Sequence, residues 1–125
     1  MTDSKRTILV VDDEAGILSV LERFLSKNGY AVLLASDANA AIDIYLRQKE
    51  KIDIVLLDIN LSNNSGYDLF AKMKAANAGV KVVAASGYLN PEVTDQLLAA
   101  GVKCTLQKPY ALTELIKILQ EVIKS

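Results

Sequence analysis

Asp12, Asp13, Asp58, Ser86 and Lys108 are the residues of this chain whose types and spacing suit the handling of a phosphoryl group. Each stands at the end of a short apolar run: Ile8-Leu9-Val10-Val11 runs into Asp12-Asp13, and Ile54-Val55-Leu56-Leu57 into Asp58. Val82-Val83-Ala84-Ala85 ends on Ser86, and Cys104-Thr105-Leu106-Gln107 on Lys108-Pro109. If these runs are parallel strands of one sheet, their carboxyl ends open on the edge where open α/β sheets bind ligands. Three carboxylates, a hydroxyl and an ammonium then share one crevice.

Two carboxylates about 4 Å apart repel by roughly 4 kcal/mol at an effective dielectric of about 20. Three of them with Lys108 as the nearby cation leave a surplus of negative charge. A hard divalent cation relieves it, and an all-oxygen site with too few protein ligands for a full cage suits Mg²⁺, which keeps waters and shares its shell with phosphate. Each residue also has a plainer reading. Asp13 is able to cap a helix opening at Glu14, and Asp58 to open the following loop as an Asx-turn. Ser86-Gly87 reads as an ordinary turn, and Lys108 as an edge-strand lysine reaching for solvent.

The elements that must position these groups follow from periodicity. Short β-branched runs alternate with stretches of helical length, the signature of βαβ units and a parallel sheet. Strands are expected near 7–12, 31–36, 53–58, 80–86 and 103–107; the last has mixed polarity and reads as a sheet edge. Helical stripes are Ile17, Val20, Leu21, Phe24 and Leu25; then Ala38, Ala41, Ile42, Tyr45 and Leu46; then Leu69, Phe70 and Met73. Val93 and Leu97 mark a fourth helix, and Leu112, Leu115, Ile116, Leu119, Val122 and Ile123 a fifth. Gly29, Gly79 and Gly101 stand where left-handed helix caps are wanted, and Asn90-Pro91 reads as a cap followed by a first-turn proline. With right-handed crossovers, the economical fold is a doubly wound, flavodoxin-like α/β sheet of five parallel strands in order 2-1-3-4-5, flanked by five helices. Asp12-Asp13 and Asp58 then face each other where the strand order reverses.

Bulk properties narrow the function. At 125 residues the chain is the size of one domain, read as 1–125, with 51% hydrophobic and 23% charged residues. A net charge of -1 carries no footprint for nucleic acid or an anionic membrane. Cys104 has no partner for an internal disulfide and reads as a buried small hydrophobe. No apolar stretch reaches the length of a membrane span, and the start Met1-Thr2-Asp3-Ser4-Lys5-Arg6 leads into a run too short for a signal peptide's apolar region, so a cytoplasmic protein is expected. There is no histidine. Imidazole metal ligands and bases are therefore excluded, and the chain cannot carry phosphohistidine, only receive from it.

Taken together, Val10-Val11-Asp12-Asp13-Glu14, Leu56-Leu57-Asp58-Ile59-Asn60-Leu61, Gly66, Ala85-Ser86-Gly87 and Lys108-Pro109-Tyr110 resemble, in order and over essentially the whole chain, the receiver domains of bacterial-type response regulators. The resemblance implies that Asp58 accepts a phosphoryl group from phosphohistidine of a histidine kinase or phosphotransfer protein. It implies that Asp13, Asp58 and the backbone carbonyl of Asn60 hold Mg²⁺, with Asp12 assisting through water, and that Ser86 and Lys108 bind phosphoryl oxygens. It implies a cis Lys108-Pro109 bond, a downstream target or output domain, and a partner or homodimer surface on the fourth helix, fifth strand and fifth helix. Such a protein catalyses only its own phosphorylation and dephosphorylation.

The chain departs from the family in places. Thr105 stands where members usually carry the aromatic that swings inward on activation. Ser62 replaces a common proline, so the loop through Asn63-Asn64-Ser65 is expected to be mobile. Asn60 and Tyr88 occupy the positions that tune hydrolysis of the acyl phosphate; Tyr88 is expected either to hinder water or to pack on the helix after Pro91. Rival readings are a haloacid-dehalogenase-like phosphatase, which wants an acid where Asn60 stands, and a flavodoxin-like cofactor binder, whose first turn would not be acidic. A receiver used only as an unphosphorylated interaction module is the remaining alternative.

Overall fold

Parallel strands with both faces covered favour continuous apolar runs, and the strands follow in the order β1 (Arg6–Val11), β2 (Tyr30–Ala35), β3 (Ile54–Asp58), β4 (Val82–Ser86) and the more polar β5 (Cys104–Gln107). Helices α1 (Ala15–Lys27), α2 (Ala38–Gln48), α3 (Ser65–Ala76), α4 (Pro91–Ala100) and α5 (Leu112–Lys124) alternate with them. The structure is a computed structural model and describes residues 5–62 and 65–124. All strand pairs are parallel, in the order β2-β1-β3-β4-β5. This is the doubly wound arrangement expected from the sequence.

Because successive side chains of a strand point to opposite faces, each central strand feeds two cores. Leu9, Val11, Val55, Leu57, Val82 and Ala84 meet Ala41, Tyr45, Leu69, Met73 and Leu97 of α2, α3 and α4. Ile8, Val10, Ile54, Leu56, Val83 and Ala85 meet Leu18, Leu21, Leu25, Leu115 and Leu119 of α1 and α5. The sheet is thus clamped from both sides, which fixes where its carboxyl-terminal edge lies.

Some expectations need correction. In α1 the buried stripe is Leu18, Leu21 and Leu25, while Val20 is 54% exposed; in α2, Leu46 is 52% exposed. A helix on a sheet buries a narrow face, and the apolar residues at these positions widen the sequence pattern beyond it. Both β2 and β5 are edges, so the middle of the apolar β2 is only half-buried. Among the described residues the glycines with left-handed φ are Gly29 (90°) and Gly101 (112°). Gly79 is not one of them: α3 ends at Ala76, and the turn after it is closed by Asn77, whose Oδ1 accepts the Gly79 N–H at 3.0 Å. Asn90 behaves as expected, accepting the Val93 N–H at 2.8 Å with Pro91 in the first turn.

Gly66 ties the fold to the edge that carries Asp58. It is buried in the first turn of α3, where a Cβ would collide with the backbone carbonyl of Ile59. Gly16, in the first turn of α1, has open space around an added Cβ. Alanine gains up to about 1 kcal/mol of helix propensity at either position, whereas forcing backbone apart costs about 1–3 kcal/mol. Gly16→Ala is therefore expected to raise the urea midpoint and Gly66→Ala to lower it at unchanged slope; a stabilised Gly66→Ala protein would contradict this packing.

Candidate functional site

Register brings the site residues side by side. Val11 pairs with Leu57, so Asp12 follows beside Asp58, and Asp58 pairs with Ala85, which puts Ser86 next along the same edge. Asp12 and Asp58 are buried and Asp13 is exposed.

Each buried carboxylate divides its two oxygens between backbone and cation. Asp12 Oδ1 accepts the Glu14 N–H at 2.9 Å, and its Oδ2 lies 2.8 Å from Lys108 Nζ. Asp58 Oδ1 accepts the Asn60 N–H at 2.9 Å, and its Oδ2 lies 3.3 Å from the same ammonium. The Asx-turn foreseen for Asp58 and its place in the acidic cluster thus coexist. Asp13 does not cap α1 as foreseen: the cap position is Glu14, which makes no side-chain cap bond, and Asp12 instead turns the chain ahead of the helix by accepting the Glu14 N–H. Lys108 does not reach for solvent: its side chain is 19% exposed and spans the two acids. The bond from Lys108 to Pro109 is cis.

Burial alone would lower the pKa of Lys108, but its hydrogen bond to Asp12 and the fields of Asp58 and Asp12 outweigh it and raise it above the ordinary 10.5. A raised lysine stabilises the fold fully below its unfolded value and loses that contribution only as pH climbs through the folded one. Lys108 is therefore a fixed cation at neutral pH. Burial, the larger cause, likewise pushes the Cys104 thiol up, in keeping with a small hydrophobe rather than a reactive thiol.

Oxygen atoms from Asp12, Asp13 and Asp58 all lie within 4.8 Å of one another. Three carboxylates against one ammonium leave a site that favours further positive charge, and its donors are all oxygen. That set fits a hard divalent cation such as Mg²⁺.

Ser86 joins this cluster at one remove. Its hydroxyl donates to Asn60 Oδ1 and accepts the Tyr88 N–H at 3.0 Å. Asn60 therefore bridges Ser86 and Asp58, through its side chain to one and its N–H to the other. Tyr88 is 75% exposed, which goes against the alternative that its ring packs on α4. Asn63 and Asn64, the centre of the loop expected to be mobile, lie outside the described residues; at its flanks Ser65 Oγ donates to the Ser62 carbonyl at 2.8 Å. Two contacts were not foreseen. Ser62 Oγ donates to Asp13 Oδ2 at 3.1 Å, and Gln107 hydrogen-bonds the loop after β4. Their only sequence signal was nearness to motif residues.

Among the described residues no helix is long and apolar enough to cross a membrane. Comparison with known proteins agrees with the geometry. A family model described as the response regulator receiver domain matches residues 8–120. "Sporulation initiation phosphotransferase F" of Bacillus subtilis is 29% identical over 86% of this chain and 86% of its own length. "Probable transcriptional regulatory protein TcrX" of Mycobacterium tuberculosis is 30% identical over 94% of this chain, which spans only 50% of that relative. The crystal structure of a "response regulator receiver domain protein (CheY-like)" from Methanospirillum hungatei JF-1 superposes with a TM-score of 0.87 at 28% identity, covering 97% of this chain and 95% of that one. With its acids, hydroxyl and lysine gathered on one sheet edge, and the family model spanning nearly all of it, the chain belongs to the response regulator receiver domain family, the phosphoacceptor switches of two-component signalling.

Proposed function

We propose that residues 1–125 form a single receiver domain in which Asp58 is the phosphoacceptor. The observation that carries this reading is the buried Asp58 carboxylate, 3.3 Å from the Lys108 ammonium within a cluster of three acids. A carboxylate oxygen of Asp58 attacks the phosphorus of a phosphohistidine on a histidine kinase or phosphotransfer protein. The P–N bond breaks as the P–O bond forms, and its electron pair stays on the donor imidazole, leaving an acyl phosphate.

Phosphoryl transfer asks a protein mainly for alignment and for neutralisation of charge on the equatorial oxygens. Lys108, already lodged between Asp12 and Asp58, supplies one positive charge there and Ser86 a hydroxyl donor. Asp13, Asp58 and the Asn60 carbonyl would hold Mg²⁺, with Asp12 acting through water. When bound, the ion supplies neutralisation of the acids and of the incoming phosphoryl oxygens. Asn60 cannot exchange a proton as the acid of a phosphatase would, and its side chain is taken up by Ser86. These features favour self-limited phosphotransfer over turnover of phosphomonoesters. An acidic turn at Asp12-Asp13 likewise disfavours a phosphate-bearing cofactor. The proposed setting is the cytoplasm, the proposed outputs a downstream protein or an attached output domain, and the face formed by α4, β5 and α5 the partner or homodimer surface. No direct role on nucleic acid is proposed.

Intact mass after acetyl phosphate and Mg²⁺ is expected to show one added phosphate in the parent and none in Asp58→Asn. An unlabelled parent with its fold intact would favour the unphosphorylated interaction module instead. Asp13→Asn removes one repelling carboxylate, worth about 1 kcal/mol at a solvent-exposed position. It should raise the metal-free Tm by about 4 °C, and saturating Mg²⁺ should erase that advantage; a difference indifferent to Mg²⁺ would remove Asp13 from the metal set. Tyr88→Ala should shorten the lifetime of the phosphorylated state, measured by loss of the phosphate mass. An unchanged or longer lifetime would show that the ring does not hinder water.

A further inference from the structure

Gln107, at the exposed end of β5, spends its side-chain amide entirely on backbone. Its Oε1 accepts the Leu89 N–H at 3.1 Å, and its Nε2 donates to the carbonyls of Gly87 and Lys108, both at 3.0 Å. Both donor hydrogens of the amide are used, along with one acceptor site. Beside it the Lys108 N–H donates to the Ser86 carbonyl at 2.8 Å. The strand that delivers Lys108 and the loop that leaves Ser86 are thus stitched together from Ser86 to Leu89. That loop leads directly into the Asn90 cap and Pro91 of α4.

The stitching matters because the Ser86 hydroxyl has a single hydrogen. Here it is directed to Asn60 Oδ1, with the Tyr88 carbonyl 3.1 Å away as the alternative acceptor, and the same oxygen receives the Tyr88 N–H. Donating to a phosphoryl oxygen on Asp58 means surrendering those contacts, which carries the start of the loop with it. Gln107 holds the rest of the loop where it is. Thr105, in the middle of β5, offers no aromatic ring to swing instead.

We propose that Gln107 is a positioning residue that acts as a latch. Its amide fixes the loop from Gly87 to Leu89 in the unphosphorylated register, and phosphorylation of Asp58 opens it, so the signal passes to α4 through backbone hydrogen bonds. This rests on the reading of Asp58 as acceptor. A contact made in only one of two states opposes the other state, and by linkage the two effects are equal in size. Removing the latch must therefore favour the phosphorylated form.

The test uses the isotopically labelled full chain with beryllofluoride and Mg²⁺ as the phosphoryl mimic, followed by amide hydrogen exchange. In the parent, protection of the Leu89 N–H is expected to fall about tenfold on adding the mimic, the equivalent of one net hydrogen bond. Gln107→Leu should lack that protection from the outset and bind beryllofluoride roughly three- to tenfold more tightly. Unchanged exchange at Leu56 and Val83 would certify that its sheet is intact. Gln107→Glu, which keeps the acceptor for Leu89 and loses both donors, should fall between. Leu89 exchange that ignores the mimic in a parent that binds it, or equal affinities in parent and Gln107→Leu, overturns the latch while leaving Asp58 as acceptor. A parent that fails to bind beryllofluoride overturns both.

Discussion

One ammonium facing three carboxylates is the condition on which the rest of this structure turns. Lys108 touches Asp12 and Asp58 at 2.8 and 3.3 Å, with Asp13 close enough for all three acids to offer oxygens to one ion. Leaving buried carboxylates uncompensated is strongly unfavourable, and pairing with one lysine compensates only in part. The cluster is thus stable enough to fold yet retains a net negative charge. That surplus suits a divalent cation better than a site whose charges already balance. The raised pKa of Lys108 expresses the same imbalance from the cation's side.

The sheet makes that imbalance geometrically unavoidable. Parallel pairing of β1 with β3, and of β3 with β4, brings Asp12, Asp58 and Ser86 onto adjacent strand ends. Two separate helix layers hold those strands rigidly from both sides. Gly66 lets the start of α3 press against the Ile59 carbonyl, immediately after Asp58. Above this rigid edge sits a more adaptable layer made of Asn60, Ser86, the loop to Leu89 and Gln107. Its members are bound to one another by exchangeable hydrogen bonds. A stiff base with a rearrangeable rim is the division a phosphorylation switch needs, because added charge must move something without unfolding the rest.

Strand order, helix sequence and the gathering of Asp12, Asp13, Asp58 and Lys108 were legible in the sequence, because apolar periodicity and right-handed crossovers leave few alternatives. What escaped were choices decided by local competition. Asp12 and Asp13 are chemically alike, and only the backbone path determines which one closes the turn before α1. Val20 and Leu46 look like core residues, since apolar type alone does not say how wide a face the sheet covers. Gly79 looks like a left-handed cap, but the Asn77 side chain closes that turn by other means. The contacts of Ser62 with Asp13 and of Gln107 with the loop after β4 join residues distant in sequence and common on any surface. No pattern announces such pairs.

The most direct test of the central claim is to trap the acyl phosphate chemically. Borohydride reduces a phosphorylated aspartate to homoserine, so peptide mapping after acetyl phosphate, with and without Mg²⁺, locates the acceptor among the three clustered acids. Homoserine at position 58 alone, formed only when the divalent ion is present, is the predicted result. Homoserine at 12 or 13, equal yield without the ion, or no conversion in a folded protein would contradict the account.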